Sequence, residues 1–114
     1  MDAVKLSLRI DLPQGTRFGP GKATLLRELH KKGSIRAAAE SLSMSYPRAL
    51  KLIEQMNDSF ASPLVETQHG GAVGGGATVT AAGLEVLDLY SAICEEAEKA
   101  GGPALVKLKR HFAE

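Results

Sequence analysis

Tryptophan is absent from this chain, and Phe and Tyr together supply only 4% of its 114 residues. The core must therefore be mostly aliphatic. A row of aromatic rings on which successive bases of a single strand could stack is excluded. Cys94 is the one cysteine, so no internal disulfide can form, and a cytoplasmic location is expected. No run of about 18 apolar residues occurs, which excludes a spanning helix, and no membrane partner is expected. The opening Met1-Asp2-Ala3-Val4-Lys5 lacks a basic stretch followed by an apolar one, so no secretory signal is expected either. His30, His69 and His111 with Cys94 lack metal-ligand spacing, and no metal or other cofactor is expected. The adjacent Glu95, Glu96 and Glu98 do not face one another on a helix and read as a solvated surface. No nucleophile signature is present, so the chain is not expected to be an enzyme.

What is present is a single globular domain over residues 1–114, with 44% hydrophobic and 24% charged residues. The net charge of +1 conceals an asymmetry. Residues 17–51 carry eight basic side chains against Glu28 and Glu40, or about +6; residues 52–114 carry about −5. Such a field suggests a polyanion partner for the first half of the chain.

Val4, Leu6, Leu8, Ile10 and Leu12 alternate with polar residues, which predicts a strand over 4–12 ended by Pro13. Gln14 to Gly21 reads as a loop. Residues 20–57 predict three helices. The first begins at Pro20 and stops at Gly33; the second runs from Ile35 to about Leu42 after a Ser34 cap; the third runs from Tyr46 to about Asn57 after a Ser45 cap. Leu64–Thr67 and Ala77–Thr80 predict two short strands around a glycine-rich tip. Thr80 should cap a long helix, which Gly101-Gly102 should break, and Pro103 should start a last one.

Residues 34–57 form one unit. Ala38 and Ala39 are small enough for a close helix crossing, and Leu42, Met44, Ala49, Ile53 and Met56 can lock the next helix across it. Two helices joined by so short a turn describe a helix-turn-helix. On the third helix Arg48, Lys51 and Gln55 project together, opposite that apolar face. Arg48 suits guanine edges, Lys51 and Gln55 suit bases or phosphate, and Ser45 with Tyr46 stands at the helix N-terminus, where a phosphate oxygen fits. Ser34, Arg36, Lys22 and Lys32 complete the candidate contacts of the helical part. The same pattern also fits a three-helix core with a solvated basic face. A hairpin following the helix-turn-helix is the order of a winged helix, and His69, Gly70 and Gly71 at its tip could approach the DNA backbone. The glycines are not a nucleotide loop, because Ala77-Thr78 follows rather than Lys-Ser or Lys-Thr, and a strand follows rather than a helix.

Gly33-Ser34-Ile35, Met44-Ser45-Tyr46, Glu54-Gln55-Met56-Asn57 and Leu64-Val65-Glu66, then Gly70-Gly71, Gly74-Gly75-Gly76-Ala77, Leu84 and Tyr90, resemble the N-terminal domain of the ModE family. These are molybdate-responsive regulators whose N-terminal domain is a winged helix related to LysR-type regulators. The resemblance covers roughly residues 4 to 100. It implies a mainly α fold with a small antiparallel β-sheet, the winged helix-turn-helix (wing 64–80) being followed by C-terminal dimerisation helices over 80–114. It further implies a homodimeric transcriptional regulator of double-stranded DNA, with Leu84, Val86, Leu87, Tyr90, Ile93 and Ala97 at the dimer interface. The chain departs from the family at Thr67 and Ala72, where the family's wing often carries Arg and Lys, so a weaker phosphate grip is expected there. The family's molybdate-binding domain lies beyond Glu114, and no molybdate binding is expected of these residues. The alternative is a winged-helix protein–protein interaction module that has lost DNA binding.

Overall fold

The chain begins with an extended segment and a very short hairpin. In the computed structural model, which describes residues 4–68 and 76–113, β1 (Ile10–Asp11) pairs antiparallel with β2 (Arg17–Phe18) across a 3-10 turn at Pro13–Gly15. The predicted strand over 4–12 is mostly not formed, though its side-chain alternation holds from Lys5 on: Leu6, Leu8, Ile10 and Leu12 are half-buried, while Lys5, Ser7, Arg9 and Asp11, and also Val4, are exposed. Only Ile10–Asp11 joins a ladder. The preceding residues lie along the C-terminal helix, which offers no backbone edge to pair with.

α1 (Pro20–Lys32) buries Ala23, Leu25, Leu26 and Leu29 and ends at Gly33. Gly33 takes the left-handed conformation (φ 70°), and its N–H donates to the Leu29 carbonyl at 2.8 Å. α2 (Ile35–Ser41) begins at Ser34, whose Oγ accepts from the Ala37 N–H at 3.2 Å. α3 (Tyr46–Ser59) begins at Ser45, whose Oγ accepts from the Arg48 N–H at 3.2 Å. Between them Ser43 adopts φ 54°, unusual for a residue with a side chain, and the Met44 N–H returns to the Ala39 carbonyl at 2.9 Å. Ala38, Ala39 and Ala49 are fully buried with Ile53 and Met56, as the helix-turn-helix reading requires. The Ser41 hydroxyl donates to Glu28 at 2.8 Å and ties α2 to α1.

The wing consists of β3 (Val65–Gln68) and β4 (Gly76–Val79), paired antiparallel with Val65 opposite Val79. Its base is fixed twice. Asn57, near the end of α3, accepts the Leu64 and Val65 N–H groups at 2.8 and 3.1 Å and donates to the Val65 carbonyl at 2.9 Å. On the other strand, the Ala77 N–H donates to the Gly33 carbonyl at 3.1 Å.

α4 (Ala81–Lys109) starts at Thr80, whose Oγ1 accepts from the Gly83 N–H at 3.0 Å. The expected break at Gly101-Gly102 is not there. One helix continues through both glycines and through Pro103. Neither glycine takes a positive φ, and a Cβ on Gly101 would meet the Leu6 side chain at an ordinary contact distance of 3.5 Å. With right-handed backbone at both positions, the glycines continue the helix rather than ending it. Phe18, Phe60 and Tyr90 meet edge-on at the junction of β2, α3 and α4, with ring centroids 6.1 Å (Phe18–Phe60) and 5.2 Å (Phe18–Tyr90) apart.

Asn57→Ala should lower stability by about 1–3 kcal/mol in urea unfolding, because two backbone N–H groups and a carbonyl lose their partner. Asn57→Asp, which keeps the acceptor, should lose less.

Candidate nucleic-acid interface

α3 is amphipathic, and its geometry separates two faces. Ala49, Ile53 and Met56 are buried, whereas Arg48 and Lys51 are exposed and Gln55 is half-buried. Among the described residues, Arg48, Lys51 and Lys32 form no ion pair. At the start of α3, the Arg36 guanidinium lies over the Tyr46 ring, 5.7 Å from its centroid. This cation–π contact places a cation from α2 beside the first turn of α3. Ser34 and Ser45 both serve as helix caps, so their oxygens accept backbone N–H groups while their hydroxyl protons remain available to an acceptor.

Arg48 and Gln55 line one groove together with Arg17 and Lys22, over a floor of Leu52. The groove lies between β2 and α3. Lys51 points away from it, about 60° round the helix from Arg48. The three outward residues of α3 thus divide into a pair that borders the hairpin and one that stands apart. Lys22 does not project freely. It is almost fully buried, and its ammonium donates to the Arg17 carbonyl at 2.6 Å. Burial first, and then the neighbouring Arg17 charge, push its pKa below the ordinary value. Lys22 therefore anchors the hairpin. Arg17 was not among the expected contacts, because the sequence places it in a loop. Its only signal there was membership of the basic stretch.

Lys32 is exposed in the last turn of α1. On that same turn Lys31 pairs with Glu28 at 3.5 Å. The Ser41 hydrogen bond, and less strongly Lys31, hold the Glu28 carboxyl below its usual range against an opposing effect of burial. His69, Gly70 and Gly71 at the wing tip lie outside the described residues.

The six residues expected at a dimer interface also divide. Leu87 and Tyr90 are buried in the chain's own core, Tyr90 at the base of an apolar groove bordered by Leu89 and Ile93. The Tyr90 hydroxyl donates to the Leu8 carbonyl at 2.7 Å, and burial, followed by the Cys94 thiol beside it, raises its pKa. Leu84 and Val86 are half-buried against the core, Ala97 is half-buried, and Ile93 is exposed. Leu89, which the sequence reading passed over, is 57% exposed beside Ile93. No group of three or more potential metal ligands occurs among the described residues. No helix among them is long and apolar enough to cross a membrane.

Residues 22–84 match the profile of bacterial regulatory helix-turn-helix proteins of the lysR family, from the basic start of α1 to the first turn of α4. The chain belongs to that family. Among curated relatives of this lysR-family chain, the molybdenum-pterin-binding protein MopB of Rhodobacter capsulatus is 39% identical over 79 residues, 69% of this chain and 29% of its own length. The transcriptional regulator ModE of Haemophilus influenzae is 36% identical over 79% of this chain and 35% of its own length. The DNA-binding transcriptional dual regulator ModE of Escherichia coli is 32% identical over 84% of this chain and 37% of its own length. The chain thus spans about a third of the length of these relatives. A chain from the crystal structure of the CbnR_DBD–DNA complex shares the fold. Its TM-score is 0.60 at 23% identity, covering 77% of this chain and 95% of that one.

Lys22→Met should cost about 1 kcal/mol of stability at neutral pH, because the Arg17 carbonyl loses its donor. Folding lowers the Lys22 pKa, so between the lowered and the ordinary value the unfolded state binds more protons. The stability advantage of wild type over Lys22→Met should therefore grow as pH rises through that window, as urea titrations at several pH values would read.

Proposed function

We propose that this chain is a sequence-specific double-stranded-DNA-binding transcriptional regulator of ModE type, acting as a homodimer in the cytoplasm. The observation that carries this reading is the outward cationic face of α3, with Arg48 and Lys51 free of carboxylate partners among the described residues, on a helix whose opposite face is locked into the core. In a helix-turn-helix the second helix enters the major groove N-terminus first. That end carries Ser45, Tyr46 and Arg48, with Arg36 braced beside them. Arg48 offers a planar fork to guanine edges. Lys51, Gln55, Arg36, Ser34 and Lys32 supply further polar or charged contacts, most of them to phosphate, and His69, Gly70 and Gly71 would meet the backbone from the wing tip. The reading contains no catalytic step, and it assigns these residues no molybdate site and no cofactor.

Self-association is assigned to α4. The helix is about 43 Å long at 1.5 Å per residue. It exposes Leu89, Ile93, Val106 and Leu108, each about half accessible or more. Leu89 and Ile93 continue into an apolar groove with Ile10, Leu12 and Val86. The exposed Leu89–Ile93 pair, four residues apart on one face and continuous with that groove, supports pairing with a second copy. Leu84, Val86, Ile93 and Ala97 remain in the proposed interface, with Leu89 added.

Wild-type protein should bind random duplex DNA at low salt in a gel shift; no shift there would favour the protein-interaction module instead. On a duplex selected from a random pool, Arg48→Ala should cost about 1–3 kcal/mol and relax the sequence preference. Lys32→Ala should weaken all sequences alike and flatten the salt dependence by roughly one unit in log–log slope. Ile93→Glu should shift the light-scattering mass from dimer towards monomer, and an unchanged mass would remove α4 from the interface.

A further inference from the structure

The β1–β2 hairpin lies outside the helix-turn-helix, yet it is fastened to the reading helix at several points. The Thr16 and Ser59 hydroxyls are 2.7 Å apart, and the Ser59 hydroxyl lies 2.7 Å from the Gln55 carbonyl oxygen. The Phe18 ring, 1% exposed, is held edge-on by Phe60 and Tyr90. Lys22, from α1, grips the Arg17 carbonyl. These contacts fix the backbone of Arg17 relative to α3 while its side chain stays exposed.

The groove so formed has a volume of about 310 Å³ and is lined by three cations, Arg17, Lys22 and Arg48, with Gln55 and no carboxylate. Asp11 sits opposite Arg17 in the hairpin register, but Arg9 engages its carboxylate at 3.1 Å. Cations converging from three elements repel one another unless an anion lies between them. The Arg17 guanidinium fork suits the oxygens of a phosphate. The site is open, with exposed cations on its rim, so salt would screen its hold on a free oxyanion. A phosphate delivered by an already docked duplex arrives at high effective concentration.

We propose that the groove between β2 and α3 is a backbone-phosphate site, in which Arg17 holds one phosphate of duplex DNA beside the base-reading Arg48. The hairpin is then a second arm of the DNA interface besides the wing, and it sets how α3 sits in the major groove. This rests on the reading that α3 faces DNA, and the test separates the two.

Arg17→Gln, Arg17→Lys, Arg48→Ala and the control Arg110→Gln are compared with wild type by fluorescence anisotropy on a selected and a random duplex across a salt series, with circular dichroism confirming the fold of each. Arg17→Gln is expected to weaken both duplexes about five- to tenfold and to lower the salt slope by roughly one unit, leaving the sequence preference intact. Arg17→Lys should keep the slope while losing part of the affinity. Arg110→Gln should match wild type; a loss equal to that of Arg17→Gln would reduce the effect to net charge and overturn the proposal. If Arg48→Ala is impaired while Arg17→Gln matches wild type, the reading of α3 stands and the hairpin arm is refuted. If wild type binds neither duplex, the DNA reading itself fails and the arm with it. Inorganic phosphate, titrated while the Arg side-chain Nε signals are followed by NMR, provides the last arm. Saturation at low millimolar, together with indifference of duplex binding to Arg17→Gln, would identify a free oxyanion as the ligand and overturn the backbone assignment.

Discussion

Two helices can approach only as closely as the side chains between them allow, and between α2 and α3 those side chains include alanine. Ala38, Ala39 and Ala49 are fully buried where the two helices meet. Larger residues would push α3 away and change its crossing angle. Because the approach is close, Ile53 and Met56 reach the interior and the opposite face of α3 must look outward. The outward direction of Arg48 and Lys51 follows from the burial of Ala49, Ile53 and Met56 on the other face of the helix.

The wing and the hairpin are both tied to the end of that reading helix. One amide side chain, Asn57, satisfies three backbone groups of the chain leading into β3. The Gly33 carbonyl, at the joint between α1 and α2, holds β4. The hairpin at the other flank is held by Thr16, Phe18 and Lys22. The helix-turn-helix therefore carries an attached structure on each side. The acidic half of the chain leaves the basic face uncovered by ion pairs among the described residues: the two ion pairs there are Arg9–Asp11 and Lys31–Glu28.

What the sequence revealed was local. Ser34, Ser45 and Thr80 act on groups three residues away, and Gly33 on a carbonyl four residues back, so their roles are legible in short windows. The buried alanines were legible for a similar reason, since their spacing already implies a face. Misplaced features depend on distant partners. Tyr90 looked like a surface apolar residue because its partner, the Leu8 carbonyl, is 82 positions away. The glycines at 101 and 102 and Pro103 read as a stop by local propensity, yet all three lie inside one helix, and the Leu6 side chain that borders Gly101 is far away in sequence. Arg17 is positioned by Lys22 and by Phe18's contact with Phe60, and a pattern of hydrophobic periods contains neither.

The uninterrupted course of α4 has a mechanical consequence. Its first turn is capped by Thr80, directly after β4, and the Thr80 hydroxyl also donates to the Pro63 carbonyl ahead of β3. Its far end lies 29 residues on. A rod of about 43 Å rooted in the wing turns one degree of tilt at the root into about 0.7 Å at the tip. Torque applied at the distal turns would reach the two wing strands through a single covalent shaft, with no intervening loop to absorb it. Pro103, which interrupts the ladder near the distal end, is where such a shaft would yield first.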